Sequence, residues 1–265
     1  MTQDGFRVTE IDTSRPHPAR IYDYLLGGKD NYAVDQRAGD ELAAAAPEVR
    51  IGLQANRAFL RRAVRYVVGT GVRQILDIGT GLPTSPNVHE VAQEAAPGVR
   101  VAYVDNDPIV AAHANALLSS SGTTSVVLGD LRDPRAVVDH PEVRRTIDFD
   151  EPVSLLLVAV LHFLTDDEQP AQAVAALRDA LPAGSFLILS HATGDFADRS
   201  AAQAVYSKAT ASLNLRSRTE VERFFDGFEL VDPGLAQIPF WRPDTTPPPR
   251  SREIGLYGGV ARKTA

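Results

Sequence analysis

Residues 75–83, ILDIGTGLP, limit the possible folds more than any other stretch of the chain. A short apolar run enters a bend carrying Gly79 and Gly81, and a helical pattern follows from Asn87 to Ala96. A strand that turns through glycines into a helix lets a ligand approach the backbone closely. The alternation then repeats. VAYVD reads as a second strand, and Pro108 to Leu118 as a helix with proline at its start. TSVVLGD is a third strand. PVSLLLVAVL is a fourth, apolar throughout, as expected of a strand buried on both faces. Asp166 to Leu181 reads as a helix and SFLILSHA as a fifth strand. Such alternation predicts an α/β fold with a parallel sheet covered by helices.

The flanks differ. Residues 1–15 read as a polar leader, and PHPARIYDYLLGGKDNYAVDQ is aromatic, charged and glycine-rich without clean periodicity. Asp35 to Ala46 is an expected helix ended by Pro47. Residues 51–68 are a stronger one: Phe59, Ala63 and Val67, with Leu60, Val64 and Val68, make an apolar stripe, and Gly69 and Gly71 stop it. Beyond the fifth strand come expected helices from Asp198 to Leu213 and Thr219 to Phe225. FELVDPG and LYGGVARK read as closing strands around the proline-rich loop IPFWRPDTTPPPR.

Composition bounds the function. The 265 residues, 44% hydrophobic and 23% charged, suffice for one large domain, or a domain with a helical cap. There is no cysteine, which excludes disulfides, thiolate nucleophiles and Cys-ligated metals, and fits a reducing compartment. The start has no apolar signal core, and the longest apolar run, Val153 to Leu161, is too short to span a bilayer. A soluble cytoplasmic protein without membrane contact is expected. The net charge of −7 speaks against nucleic acid as a partner.

Three carboxylates stand at expected strand ends. Asp77 lies two residues before Gly79, where it would repel a pyrophosphate and suit a cationic ligand. The dinucleotide pattern G-x-G-x-x-G fails, because Thr84 holds the third glycine position. Asp105 follows Gly81 by 24 residues and can accept hydrogen bonds from both ribose hydroxyls of a nucleoside; its alternative is a helix cap, for which Asp107 before Pro108 is better placed. Asp130, in LGDLRDP, can accept from an adenine amino group with Leu131 packing on the ring, or simply close a turn.

The segments PHPARIYDYLLGGKDNY, NRAFLRRAVRYV, QILDIGTGLPT, YVDNDP and RSRTEVERFFDGFELVDPG cover nearly the whole chain. Through them the chain resembles class I S-adenosylmethionine-dependent methyltransferases, and within these a bacterial family long catalogued as a domain of unknown function. The resemblance implies S-adenosyl-L-methionine as cofactor, held by Asp77, Gly79, Thr80 and Gly81, with Asp105 on the ribose, Asp130 on the adenine and Asn106 bordering it. It implies a Rossmann-like, mostly parallel seven-stranded sheet with an antiparallel last strand and helices on both faces. An N-terminal helical cap or lid, residues 1–70, would join the cofactor-binding domain, residues 71–265, in one structural unit.

Methyl transfer needs a base only if its acceptor arrives protonated. The fourth strand ends in AVLHFL, without the Asn/Asp-Pro-Pro-aromatic motif of many amino-methylating nucleic-acid enzymes. A small-molecule acceptor is expected. His162 is the base candidate, or a histidine packed beneath the cofactor; His191 and Asp195 follow the fifth strand. The N-terminal segment is expected to fold over the sheet as a lid, with Gly27 and Gly28 allowing close backbone approach and Tyr22 or Lys29 meeting ligand; the alternative is a structural cap. Arg57, Arg61 and Arg65 make a solvated helix face, from which Arg57 can instead hold the methionine carboxylate bidentately. Trp241 is a pocket wall or an anchor. Two other functions stay open on sequence alone: a nicotinamide-dependent oxidoreductase and a non-catalytic protein that binds the same cofactor. The acceptor's identity and the oligomeric state are not legible.

Overall fold

The structure, a computed structural model, describes residues 12–110, 112 and 122–264. Among these, β1 (Gln74–Ile78), β2 (Arg100–Asp105), β3 (Thr124–Leu128), β4 (Ser154–Val158), β5 (Phe186–Ala192), β6 (Glu229–Leu230), β7 (Ala236–Gln237) and β8 (Leu256–Arg262) form one sheet. Its order is β3-β2-β1-β4-β5-β8-β6, with β7 also pairing β8. The first five strands are parallel, and β8 runs antiparallel to β5, Ile188 facing Val260. The expected α/β sheet with an antiparallel closing strand is therefore present, and the two-residue β7 makes it eight-stranded rather than seven.

Strand alternation sorts the core into two layers. Leu76, Ile78, Ala102, Val104, Leu155 and Leu187 face one side, against α5 (Pro134–Asp139), α6 (Pro141–Thr146) and α7 (Pro170–Asp179). Ile75, Val101, Tyr103, Leu156 and Ile188 face the other, against α3 (Val49–Gly69) and α4 (Val88–Ala95). The apolar stripe of α3 supplies Phe59, Ala63, Val64 and Val67 to this layer. A third cluster joins α1 (Pro18–Leu25) and α2 (Ala33–Ala45) to α8 (Ser200–Tyr206), through Ile21, Leu25, Ala38, Leu42, Ala202 and Val205.

Several expected elements differ. Helix α1 forms where no periodicity showed, because its buried face includes Arg20 and Asp23 beside Ile21 and Leu25. The short helices α5 and α6, each with proline at its first turn, add to the expected elements. The expected helix from Asp166 breaks at Gln169, whose φ is 53°; proline at 170 disfavours a helical residue before it, and α7 starts there instead. The helix expected from Asp198 to Leu213 contracts to α8. That from Thr219 becomes α9 (Arg218–Glu222) and a 3₁₀ turn. The helix expected from Pro108 to Leu118 lies largely outside the described residues, as do residues 1–11 of the leader. No helix among the described residues is long and apolar enough to cross a membrane.

Candidate functional site

The strand order reverses between β1 and β4, and in open α/β sheets ligands bind at the carboxyl end of such a switch point. The strand tips there surround a cavity of about 340 Å³, within the ~300–1,000 Å³ usual for ligand pockets. The bend after β1 forms its floor. Gly79 and Gly81 have φ of 74° and 68°, which favours glycine, and a Cβ on Gly79 would stand 2.4 Å from Val160. The Gly79 N–H donates to Val104 O at 2.8 Å, and the Gly81 N–H to Asp105 Oδ2 at 2.7 Å. The ribose candidate thus also clamps the bend.

Asp77 shares the parity of Ile75, so its carboxyl faces the α3 side of the sheet. It is buried. Loss of water, together with the charge of Asp105, pushes its pKa up to about 7 against the opposing pull of Arg57. Burial likewise raises Asp105 to about 6, against backbone donors that include Asp107 and Gly81. Both carboxyls face one cavity, where a cationic ligand would favour their charged forms. Asp130 is more exposed, accepts from Asn106 Nδ2 at 3.2 Å and pairs with Arg132 at 3.1 Å. Leu131 beside it is buried.

All ten residues expected to hold cofactor line this one cavity: Tyr22, Arg57, Asp77, Gly79, Thr80, Gly81, Asp105, Asn106, Asp130 and Leu131. Arg57 Nη2 donates to Thr84 O and Pro86 O at 2.6 and 2.7 Å, tying α3 to the bend. Arg65 instead meets Asp244 at the surface. From the N-terminal segment, His17 through Arg20, Tyr22 and Asp23 close the cavity. Gly27, Gly28 and Lys29 do not reach it. Gly28 is needed for a different approach, since a Cβ there would collide with the Asp23 carboxylate.

A second cavity, of about 120 Å³, adjoins the first and shares Tyr22, Asn56, Ala159 and Phe163 with it. His162 lines only this one. Its Nδ1 accepts the Ala192 N–H at 3.2 Å, and burial holds its pKa well below the usual range. With that lone pair engaged, the ring keeps its proton on Nε2 and is a donor. The structure thus places His162, the base candidate, outside the cofactor cavity and with Nδ1 engaged. His191 is also structural: Nε2 accepts from Arg216 at 3.0 Å, Nδ1 donates to Ala192 O at 2.7 Å, and the ring stacks on Phe224. Asp195 accepts from the Arg218 N–H and the Tyr257 hydroxyl. Trp241 is fully buried edge-on to Phe59, an anchor rather than a pocket wall.

Sequence reasoning missed Asn56. It is buried, donates to the Tyr22 hydroxyl at 3.3 Å and accepts from Ser190 Oγ at 2.7 Å. A signal existed: Asn56 lies three and four residues before Phe59 and Leu60, so it is the polar residue of an apolar stripe. Arg20, Asp35 and Asp107 were missed as a group. Arg20 Nε lies 3.4 Å from Asp107 Oδ2, and Nη1 lies 3.7 Å from Asp35, so buried charges fasten α1 beside the cavity. Asp107 Oδ1 accepts the Ile109 N–H, the capping contact expected of it.

An S-adenosylmethionine molecule suits this donor set: carboxyls for its cationic and hydroxyl groups, glycine backbone for close approach, Leu131 for its ring. The family model described as S-adenosyl methyltransferase matches residues 5–264. A candidate methyltransferase from Thermobifida fusca YX is 40% identical, with a TM-score of 0.91 over 96% of this chain and 97% of its own. A DUF574 family protein from Streptomyces avermitilis MA-4680 is 43% identical, with a TM-score of 0.92 over 96% and 100%. The N-methyltransferase NodS from Bradyrhizobium japonicum WM9, solved with S-adenosyl-L-homocysteine, shares the fold at 14% identity, with a TM-score of 0.51 over 93% and 100%. No curated protein matches the chain.

Proposed function

The chain belongs to the S-adenosyl methyltransferase family and takes S-adenosylmethionine as methyl donor; from that premise we propose that the cavity at the β1–β4 switch point holds this cofactor for transfer to a small molecule. When bound, the cofactor supplies an electrophilic methyl group on a sulfonium. The chain's residues position it. Both Asp105 oxygens already accept a backbone N–H, from Gly81 and Asp107, and each has an acceptor site left for a ribose hydroxyl. Asp77 offers a negative charge to the cationic end. Leu131 and Asn106 border the adenine, with Asp130 accepting from its amino group. Arg57 braces the bend, and its remaining N–H groups are available to the carboxylate. Helix α1, fastened through Arg20 to Asp107, acts as the lid and excludes water.

Such a site works by alignment and desolvation, with His162 Nδ1 engaged by the Ala192 N–H. The acidic chain supports a small-molecule acceptor over nucleic acid. The observation that carries the proposal is the burial of Asp77 and Asp105 in one cavity at neighbouring strand tips. Incubation with methyl-labelled S-adenosylmethionine and a whole-cell lysate, its macromolecules and small molecules then separated, tests it. Label should move to a small organic product, and transfer only to RNA, DNA or protein would refute the small-molecule assignment.

A further inference from the structure

The second cavity adjoins the cofactor cavity and opens on the same wall. Tyr22, Asn56, Ala159 and Phe163 belong to both. A methyl group delivered across that shared wall would meet an acceptor whose nucleophilic atom lies there and whose body lies in the second cavity. The lining says what body fits. Leu42, Val49, Leu53, Phe163, Leu213 and Leu215 dominate it. Its two charged residues, Glu48 and Arg199, are paired with one another. His162 is neutral, held so by burial. No unpaired charge faces the space, and a charged ligand group there would lose water without gaining a partner. The volume, about 120 Å³, is slightly below the ~150 Å³ of an engineered apolar cavity that takes up benzene.

We propose that the methyl acceptor presents to this cavity an uncharged apolar body of one ring or a short branched chain, with a nucleophilic atom at its edge held by the Tyr22–Asn56 pair. This rests on the cofactor assignment above and adds the acceptor's chemistry to it. Asn56 donates to the Tyr22 hydroxyl, which in turn donates towards Leu53 O at 3.4 Å. An acceptor hydroxyl oxygen can replace Leu53 O as the partner of that hydroxyl, which holds one of its lone pairs and leaves the second free to attack. Burial raises the Tyr22 pKa, so the phenol stays protonated as donor. In the transfer, the acceptor's lone pair forms the new bond to carbon as the carbon–sulfur bond breaks. The bonding electrons return to sulfur, which leaves as a neutral thioether, and the methylated oxygen loses its proton to solvent as the product leaves.

Gly52 provides the test. It lies in α3 on the wall of the second cavity and not the first, and a Cβ there meets only Ile254, at 3.8 Å. Gly52→Ala should fold normally, and Gly52→Leu should fill the cavity. Phenol, indole, benzoate and benzylammonium are titrated by ligand-observed NMR into protein saturated with S-adenosylhomocysteine, whose own binding is measured separately by calorimetry. Phenol or indole should bind the wild type, at least tenfold more tightly than either charged probe, and Gly52→Leu should weaken them tenfold or more with S-adenosylhomocysteine affinity unchanged. Equal or tighter binding of the charged probes, no binding of the neutral ones, or indifference to Gly52→Leu would overturn the proposal. Failure of S-adenosylhomocysteine itself to bind would overturn the cofactor assignment instead.

Discussion

The two adjoining cavities are built from opposite chemistry. The larger gathers Asp77, Asp105 and Asp130 from three neighbouring strand tips, close to a glycine bend. The smaller is walled by leucine, valine and phenylalanine from the helical layer and the loops beside it. The sheet supplies the charged half because strand tips present side chains at fixed register: Asp77 pairs with Tyr103, and Asp105 with Leu128. The helices supply the apolar half because their faces already pack against one another. On the reading above, the cofactor is met by the strand tips and the acceptor by the helical layer.

The contrast makes separable predictions. The largest effect belongs to Asp105→Ala, which removes the ribose acceptor and the partner of the Gly81 N–H; cofactor affinity should fall about 100-fold or more by calorimetry, charge-assisted hydrogen bonds being worth ~1.5–3 kcal/mol each. Trp241→Ala should destabilise the fold by ~3–5 kcal/mol in urea melts. It should leave the affinity of the remaining folded protein nearly intact, because Trp241 lines neither cavity.

Asp77→Asn should weaken cofactor binding ~10-fold or more and yet stabilise the empty protein. The sign follows from linkage. A carboxyl raised to about 7 in the fold and near 3.8 unfolded favours the folded state at low pH, and that benefit is lost as pH rises through 7. The asparagine variant escapes the loss, so its stability advantage should appear at pH 8, at roughly 2–4 kcal/mol, and vanish near pH 4. For the same reason, cofactor affinity in the wild type should rise several-fold between pH 5.5 and 8 and do so less in Asp77→Asn. The smallest effect is expected from His162→Gln, which should change cofactor affinity by less than about threefold, since the ring lies only in the apolar cavity.

The charged half was legible in the sequence and the apolar half was not. Asp77, Gly81 and Asp105 are fixed by local rules, namely a strand, a bend and the next strand's end. The second cavity depends on how α1, α2 and α8 meet, and those helices are far apart in the chain. Helix α1 was hidden because Arg20 is buried against Asp107, 87 positions away, and so broke the apolar pattern. The histidines show the same limit. Sequence puts His162 and His191 near the ligand edge, but their ring directions are set by Ala192 N–H and by Arg216, neither of which periodicity reveals.

Calorimetric titration at pH 8 of the wild-type protein with S-adenosylmethionine, beside NAD, examines the carboxylate cavity itself. One molecule of S-adenosylmethionine should bind per chain and NAD should give no heat of binding. Saturation by NAD, or no affinity for S-adenosylmethionine in a folded sample, would mean that buried carboxyls at adjoining strand tips do not form a seat for a cationic nucleoside.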